Sequence, residues 1–508
     1  MRRKKALYNI ISNLILQIVT IIYGFIIPKI IISSFGSNVN GLVSSITQFL
    51  AYITLLESGF GPVVKSSLYK PIANKDNKTI ENILKTSEKL FRNIAYIFIG
   101  YIFILFIIYP FLVSNDFGYL YTVSLIIIIA ISTFAEYFFG MTYKLFLQAK
   151  QNNYIISIIQ IITYILSTIL IVLMVKIGAN IQVVKLVSGI IFIFRPILQN
   201  IYVKKKYNIN FNNINKDYKL KNKWDGLAQH IASVIHGNTD ITILTVFCNL
   251  SEVSVYSVYY LVVKGIKSVI QAFTSGIDAA FGDMIAKNEH SNLNHKFNLY
   301  EIGYLTLCTI VFSCTLVLIV PFVSVYTYGI TDANYIRQTF GYLIVISEYI
   351  CMIRLPYIGL TYSAGHFKET RIGAWIECLT NIIISIILCF RYGLVGVTIG
   401  TAVAMTIRTI EFLYHSNKYI LKRNIMCSIR KIFIVILNTI LIVVISRYLP
   451  YIQYINYLNW FINAIMVFAI SVIITIITNS LIYKKEFTEL MKILKKIIIK
   501  RRKNEIKN

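Results

Sequence analysis

The stretch Ile94–Leu112 reads IAYIFIGYIFILFIIYPFL and contains no charged side chain. Its length matches the roughly 20 apolar residues with which an α-helix crosses the hydrocarbon core of a bilayer. A second stretch of this kind, Phe461–Ile482, lies near the other end of the chain. Because such runs recur throughout the 508 residues, 56% of the residues are hydrophobic and the mean hydropathy is +0.67. No soluble core would bury so much apolar helix, so the sequence predicts an all-α integral membrane protein.

About fourteen membrane-spanning helices are predicted, and the distribution of basic residues tests their placement. The predicted spans are residues 9–32, 39–67, 91–113, 118–146, 154–176, 181–203, 226–248, 252–280, 299–325, 337–364, 367–390, 393–415, 430–448 and 457–482. If the N-terminus is cytoplasmic, the loops and span ends on that side contain all but seven of the 50 Lys and Arg residues. Cytoplasmic loops of membrane proteins carry such an excess. We therefore expect both termini in the cytoplasm, and we attribute the net charge of +28 to topology and anionic-lipid contact rather than to nucleic acid.

Weak internal repeats indicate that the spans form two related halves. Val39–Ser45 pairs with Val253–Tyr259, and Lys176–Gly178 pairs with Arg391–Gly393, at almost the same spacing along the chain. Each half would contain six spans, related by a pseudo-twofold axis along the membrane normal. The expected organisation is an N-lobe at 1–203, a basic cytoplasmic linker at 204–225, a C-lobe at 226–416, two further spans within 417–482 and a basic cytoplasmic tail at 483–508.

Polar residues inside two neighbouring spans indicate a functional site, because ionisable groups in hydrocarbon are costly and rare. The span 7 stripe comprises Gln229, Ser233, His236, Asn238 and Asp240, and the span 8 stripe includes Lys264, Lys267 and Gln271. Their near-helical spacing predicts a hydrated cavity, in which the lysines would bind an anionic, phosphate-bearing substrate. The alternative interpretation is a buried network of hydrogen bonds and ion pairs, for example between Asp240 and Lys264.

Arg354 adds a third cation inside the membrane. It lies in the core of span 10, two residues before Pro356. A proline frees backbone groups and tolerates polar company within a span. We interpret Arg354 either as a cavity residue that binds the same substrate or as the partner of Glu348.

Span 2 contains the sequence Glu57-Ser-Gly-Phe-Gly-Pro62. Gly59, Gly61 and Pro62 would weaken the helix there, so we predict a hinge, with a simple packing kink as the alternative. The carboxylates of Glu57, Glu136 and Asp240 are the groups that a proton or a sodium ion would titrate if the protein uses an ion gradient.

Histidine and cysteine spacings predict neither a metal site nor a bound cofactor. The seven cysteines form no C-x-x-C pair, and the six histidines form no H-E-x-x-H motif. We expect no disulfide framework.

Short motifs in a particular order resemble those of a known family. They are Phe35-Gly36 followed by Val39-Asn-Gly41, Glu57-x-Gly59 in span 2, Asn238-x-Asp240 in span 7, and Val253-Ser-Val-Tyr256 at the start of span 8. Together with the span number, this order resembles the MOP superfamily of exporters and, within it, the polysaccharide-transport branch that includes Wzx-type O-antigen flippases.

The resemblance implies a MATE-like fold and a bacterial cytoplasmic membrane location. It also implies flipping of an undecaprenyl-pyrophosphate-linked oligosaccharide by alternating access between two lobes, alongside the glycosyltransferases and polymerase of a cell-surface polysaccharide pathway. The cationic cavity of the family would be matched here by Lys264, Lys267 and Arg354.

Three other functions remain as alternatives. A MATE-like drug or cation antiporter would use an acidic site, which Asp240 and Glu57 allow and the span 8 lysines oppose. A lipid II-type murein precursor flippase would carry arginines in spans 1 and 2, where this chain has only Lys29 before Lys65. A membrane glycan polymerase needs a catalytic outer loop, and because the predicted outer links are short we expect a non-enzyme.

Overall fold

The structure, a computed structural model, describes residues 2–207, 209, 227–274, 277–287, 289–449 and 456–493. Within them the chain is helical and contains no strand, which confirms the predicted all-α class. The helices are α1 (Arg2–Phe35), α2 (Ser37–Ala51), α3 (Thr54–Asn74), α4 (Asn77–Leu112), α5 (Tyr119–Ala135), α6 (Met141–Ala149), α7 (Asn153–Lys176), α8 (Ile181–Tyr207), α9 (Leu227–Phe247), α10 (Leu250–Thr274), α11 (Ile277–Ala286), α12 (His290–Tyr326), α13 (Gln338–Ile353), α14 (Leu355–Ser363), α15 (Arg371–His415), α16 (Met426–Ser446) and α17 (Tyr457–Ile482). Two π-helical turns, Glu136–Gly140 and Ser416–Ile420, join α5 to α6 and extend α15.

Twelve helical segments of the described chain are long and apolar enough to cross a membrane. They include the uncharged stretch Ile94–Leu112, which lies in α4. Helix α9 is an additional helix of 21 residues outside those twelve. The chain is therefore a multi-pass membrane protein, whereas the number fourteen stays a prediction. Most of the predicted linker 204–225 and residues 494–508 of the predicted tail lie outside the described residues.

A turn inside α15 separates two helices that pack against each other. Gly393 has φ 51° and ψ −127°, a backbone conformation that interrupts the helix and favours glycine. On either side of it, Asn381 Nδ2 donates to Thr401 Oγ1 at 2.8 Å, and Ser385 Oγ donates to the Val397 carbonyl at 3.0 Å. These contacts make α15 an antiparallel helical hairpin, with its turn where the sequence separates spans 11 and 12.

Two further glycines allow the arms of this hairpin to approach closely. A Cβ atom on Gly396 would lie 2.2 Å from the carbonyl oxygen of Leu388, and one on Gly400 would lie 2.2 Å from Ser385 Oγ. Both distances are far shorter than a non-bonded contact between heavy atoms. The hairpin therefore depends on the absence of side chains at these positions.

The chain divides into two compact units. The first comprises Met1–Leu261 and Ile330–Ala333, and the second comprises Val262–Gly329 and Asn334–Asn508. Each unit has its own hydrophobic core, with aromatic side chains at its centre. The predicted lobes at 1–203 and 226–416 stay a prediction.

Within the first unit, two segments that are distant in sequence are joined to α2. Asp332 accepts hydrogen bonds from the backbone nitrogen and the hydroxyl of Ser37, at 2.6 and 2.7 Å, and so caps the start of α2. One turn later, a Cβ atom on Gly41 would lie 1.8 Å from the carbonyl oxygen of Leu250. The start of α10 thus packs directly against the backbone of α2.

Candidate functional site

The two lysines of span 8 lie in α10 and have different environments. Lys267 forms an ion pair with Glu348 of α13, and the two side chains are 19% and 7% exposed. Lys264, one helical turn earlier, is exposed and forms no ion pair with any described residue. Glu348 therefore accompanies Lys267, whereas Lys264 has no carboxylate partner among the described residues.

Arg354 lies at the junction between α13 and α14, and Pro356 is the second residue of α14. Its Nη1 donates to Glu377 Oε1 at 2.6 Å, and Arg408 Nε lies 3.5 Å from the other oxygen of that carboxylate. All three side chains are almost fully buried. Arg354 is thus paired with Glu377 of α15, while Glu348, the partner considered from sequence, is engaged by Lys267.

A second polar cluster lies within the first unit, around the π-helical turn Glu136–Gly140. Glu57 of α3 accepts a hydrogen bond from Tyr137 Oη at 2.7 Å, and Lys144 donates to Glu136 at 2.6 Å. Arg195 of α8 donates to Thr163 at 2.6 Å. Its guanidinium also covers aromatic rings of α7 and α8 at 4.2 and 4.0 Å. Glu57 and Glu136, two of the three predicted ion-coupling carboxylates, therefore lie on neighbouring elements around a π-helical turn. Such turns often occur at functional sites.

The third carboxylate lies on α9. Asp240 accepts a hydrogen bond from Tyr256 Oη of α10 at 2.9 Å. Asn238, two residues earlier, accepts one from Gln48 of α2. These contacts hold α9 between α2 and α10 within the first unit. Gln229, Ser233 and His236 occupy α9 as well, but their side chains lie outside the described residues.

The interruption in span 2 lies before the predicted hinge. Helix α2 ends at Ala51, and α3 begins at Thr54 and continues through Gly59, Gly61 and Pro62 to Asn74. The two-residue turn between the helices therefore precedes the glycine-rich sequence. The hinge role of the three residues stays a prediction.

A buried charged cluster in the second unit was missed at the sequence level. Glu301 of α12 is 0% exposed and binds Lys431 of α16 and Arg423, the latter at 2.8 Å. It also accepts hydrogen bonds from Tyr357 at 2.5 Å and Ser428 at 2.6 Å. The sequence shows Glu301 as an isolated glutamate just inside a long apolar run, which could have marked it as a candidate, but nothing in the sequence indicated its partners.

An apolar cleft opens on the second unit, with a volume of about 580 Å³. Most of its lining is Ile and Leu contributed by α12, α13, α15 and α16. Ile410, Ile436 and Ile440 at its mouth are 61%, 49% and 54% exposed. The surface of a membrane-spanning unit contacts hydrocarbon, so a cleft lined by Ile and Leu can accommodate a lipid chain.

Sequence comparison finds no match, whereas structural comparison finds proteins with a similar fold. No protein-family model and no curated protein matches the chain. The structure is similar to the lipid II flippase MurJ in an inward closed conformation, with a TM-score of 0.68 and 15% identity over 94% of this chain and 99% of that one. It is also similar to an inward-facing multidrug resistance MATE transporter of the MOP superfamily, with a TM-score of 0.64 and 12% identity over 80% and 98% of the two chains.

A third similar structure is a MOP superfamily transporter from Pyrococcus furiosus, described as having a binding pocket of reversed polarity. Its TM-score is 0.56, with 13% identity over 83% of this chain and 97% of that one. At such low identities, similarity establishes the fold alone. The chain therefore has the fold of the MurJ and MATE transporters of the MOP superfamily.

Proposed function

We propose that this protein is a flippase that moves an undecaprenyl-pyrophosphate-linked oligosaccharide across the bacterial cytoplasmic membrane by alternating access, for the synthesis of a cell-surface polysaccharide. The observation that carries the proposal is Lys264 of α10, a cation within a membrane span that forms no ion pair with any described residue and lies one turn from Lys267. A cation held inside a membrane span is costly, and a phosphate-bearing substrate would offset that cost.

The structural likeness to MurJ supports a lipid-linked substrate rather than a free anion. MurJ, which has the same fold over nearly the whole chain, is itself described as a lipid II flippase. Lys264, Lys267 and Arg354 are the proposed pyrophosphate-binding residues. Arg354 has a buried Nε with no hydrogen-bond partner among the described residues, so it retains one donor despite its pairing with Glu377.

Flipping in reconstituted vesicles tests the proposal directly. The probe is a polyprenyl-pyrophosphate oligosaccharide with a fluorescent label on its glycan, whose leaflet is read by a membrane-impermeant quencher. Lys264→Ala should slow flipping about tenfold or more, because a charge-assisted contact contributes about 1.5–3 kcal/mol. Lys296→Ala, at an exposed lysine of α12, is the matched control and should flip at the wild-type rate. Equal rates in both variants would contradict the role of Lys264.

Flipping of a lipid II-type murein precursor is a second candidate, supported by the likeness to MurJ. Both candidates share the lipid pyrophosphate, so they differ only in the glycan that is accepted. Competition in the same vesicles separates them: unlabelled lipid II should leave the flipping of the oligosaccharide substrate unchanged if the first candidate is correct. Suppression by lipid II at stoichiometric concentration would favour the second.

A drug or cation antiporter is a third candidate, supported by the likeness to MATE transporters and by the carboxylates around the π turn. Glu57, Glu136 and Asp240 are proposed to couple transport to a proton or sodium gradient in any of the three cases. Glu57→Gln and Asp240→Asn should flatten the dependence of transport on external pH, because neither amide titrates. A full pH response in both variants would contradict coupling through these residues.

We infer a transport role without catalysis, since the proteins that share this fold are described as transporters and flippases. Incubation of the purified protein with the labelled lipid should therefore return the lipid chemically unchanged, as judged by mass spectrometry. Release of a polymerised glycan would instead favour the alternative that the protein is a membrane glycan polymerase.

A further inference from the structure

The link between α15 and α16 forms a basic pocket that the proposed transport cycle does not use. The pocket has a volume of about 520 Å³ and lies where the π-helical turn Ser416–Ile420 passes into the start of α16. Its lining comprises Tyr414, Lys418, Lys422, Arg423, Asn424 and Ile425. Three of these residues are cations, and none of them is acidic.

The cations of the pocket are held in place without being fully neutralised. Lys418 donates to the Tyr414 hydroxyl and lies over the Tyr414 and Tyr419 rings, at 4.8 and 5.4 Å. Lys422 is exposed and forms no ion pair with any described residue. Arg423 pairs with Glu301, but that carboxylate is shared with a second cation. The pocket therefore carries an excess of positive charge.

The basic pocket adjoins the apolar cleft described above. Ile425 lines both of them, while Leu413 and Ile429 line the cleft on either side of the link. Positive charge at one end and an apolar channel beyond it match an amphiphile with an anionic head and a hydrocarbon chain. Clusters of Lys and Arg at the ends of spans attract the phosphates of inner-leaflet lipids.

We propose that the basic pocket and the apolar cleft together bind an anionic phospholipid, with its phosphate against Lys418, Lys422 and Arg423 and an acyl chain in the cleft. A bulk phospholipid is the occupant that the geometry favours, because Lys422 and the isoleucines at the mouth of the cleft are exposed on the surface of the unit. Phospholipids surround such a surface at all times. The proposal goes beyond the transport function and does not depend on it.

Native mass spectrometry of the full chain in detergent tests the proposal by binding alone. The probes are phosphatidylglycerol and phosphatidylcholine with identical acyl chains, so that they differ only in the headgroup, which is anionic in the first and carries no net charge in the second. The wild-type protein should retain phosphatidylglycerol preferentially, and added salt should weaken that retention. Phosphatidylcholine retained equally well would overturn the proposal.

Two variants separate the headgroup and chain contributions. The double variant Lys418→Gln/Lys422→Gln should weaken phosphatidylglycerol binding about thirtyfold, because each basic residue near the surface contributes about 1 kcal/mol. Ile436→Trp should fill the cleft and weaken binding without altering charge. Lys296→Gln, outside the pocket, is the matched control and should bind like the wild type.

Competition with undecaprenyl phosphate distinguishes a structural lipid from a polyprenyl lipid. The polyprenyl lipid should not displace phosphatidylglycerol at equal concentration. If it binds tightly and phosphatidylglycerol does not compete, the pocket belongs to a polyprenyl lipid and the proposal is overturned. Unchanged phosphatidylglycerol binding in both variants would overturn it as well.

Discussion

The buried Glu301 cluster leads to a prediction about stability: removing the carboxylate should destabilise the protein more than removing one of its two cations. Glu301→Gln removes the carboxylate that accompanies Lys431 and Arg423, whose side chains are only 7% and 14% exposed. Breaking a buried ion pair so that charges remain uncompensated costs about 3–5 kcal/mol. In contrast, Lys431→Met leaves Glu301 paired with Arg423, so it should cost only the lost charge-assisted hydrogen bond, about 1.5–3 kcal/mol.

Thermal unfolding in detergent measures the difference in stability between the two variants, with the buried cysteine thiols of the protein as the probe. Cys308, Cys378 and Cys389 are 0%, 2% and 4% exposed, so a thiol-reactive fluorogenic dye reports the opening of the second unit. Both variants should unfold at lower temperature than the wild type, and Glu301→Gln should unfold at the lower temperature of the two. If Lys431→Met is equally or more destabilising, the charge-balance reasoning is refuted.

Two further predictions concern the packing of α2. Gly41→Ala should lower the unfolding temperature, because the added methyl carbon would lie 1.8 Å from the Leu250 carbonyl oxygen and force α10 away. Gly100→Ala is the control and should not lower it, because a methyl carbon there meets no atom within 4 Å. Equal effects of the two substitutions would contradict the reasoning. Asp332→Ala should destabilise the protein by about 0.5–2 kcal/mol, because it removes both hydrogen bonds to Ser37 at the start of α2. Asp332→Asn should recover much of that loss, because the amide oxygen supplies one acceptor. Loss of helical circular dichroism on heating in detergent measures each effect, and an Asp332→Ala variant as stable as the wild type would contradict the capping role.

The class of the fold follows from the sequence, because a bilayer imposes length and polarity on every span. The turn at Gly393 lies at the predicted start of span 12, directly after the link from span 11, since an apolar run of twice the usual length must reverse direction. In span 2 the interruption occurs at Tyr52 and Ile53 and not at Gly59–Pro62. Local composition could not locate it, because glycine and proline weaken a helix without breaking it once neighbouring helices pack against it.

The partners of the charged residues could not be predicted, because each pair joins helices far apart in sequence. Arg354 reaches Glu377 on the next long helix, whereas helical periodicity relates only residues three or four apart. Lys267 and Glu348 are likewise 81 residues apart. The placement of the spans identified Lys267 and Arg354 as charged residues inside them, and tertiary packing then determined their contacts.

The glycines of the α15 hairpin bear on how this fold tolerates sequence drift. The fold is shared with proteins only 12–16% identical in sequence, so most of its positions accept different residues. Lipid-facing isoleucines can exchange for any apolar residue at little cost, since hydrocarbon does not distinguish them. Gly393, Gly396 and Gly400 have no such freedom, because the backbone conformation or the facing arm excludes a side chain. Among natural variants of this chain, these three positions should therefore change most slowly, and their spacing should serve as a marker for distant relatives that overall identity fails to detect.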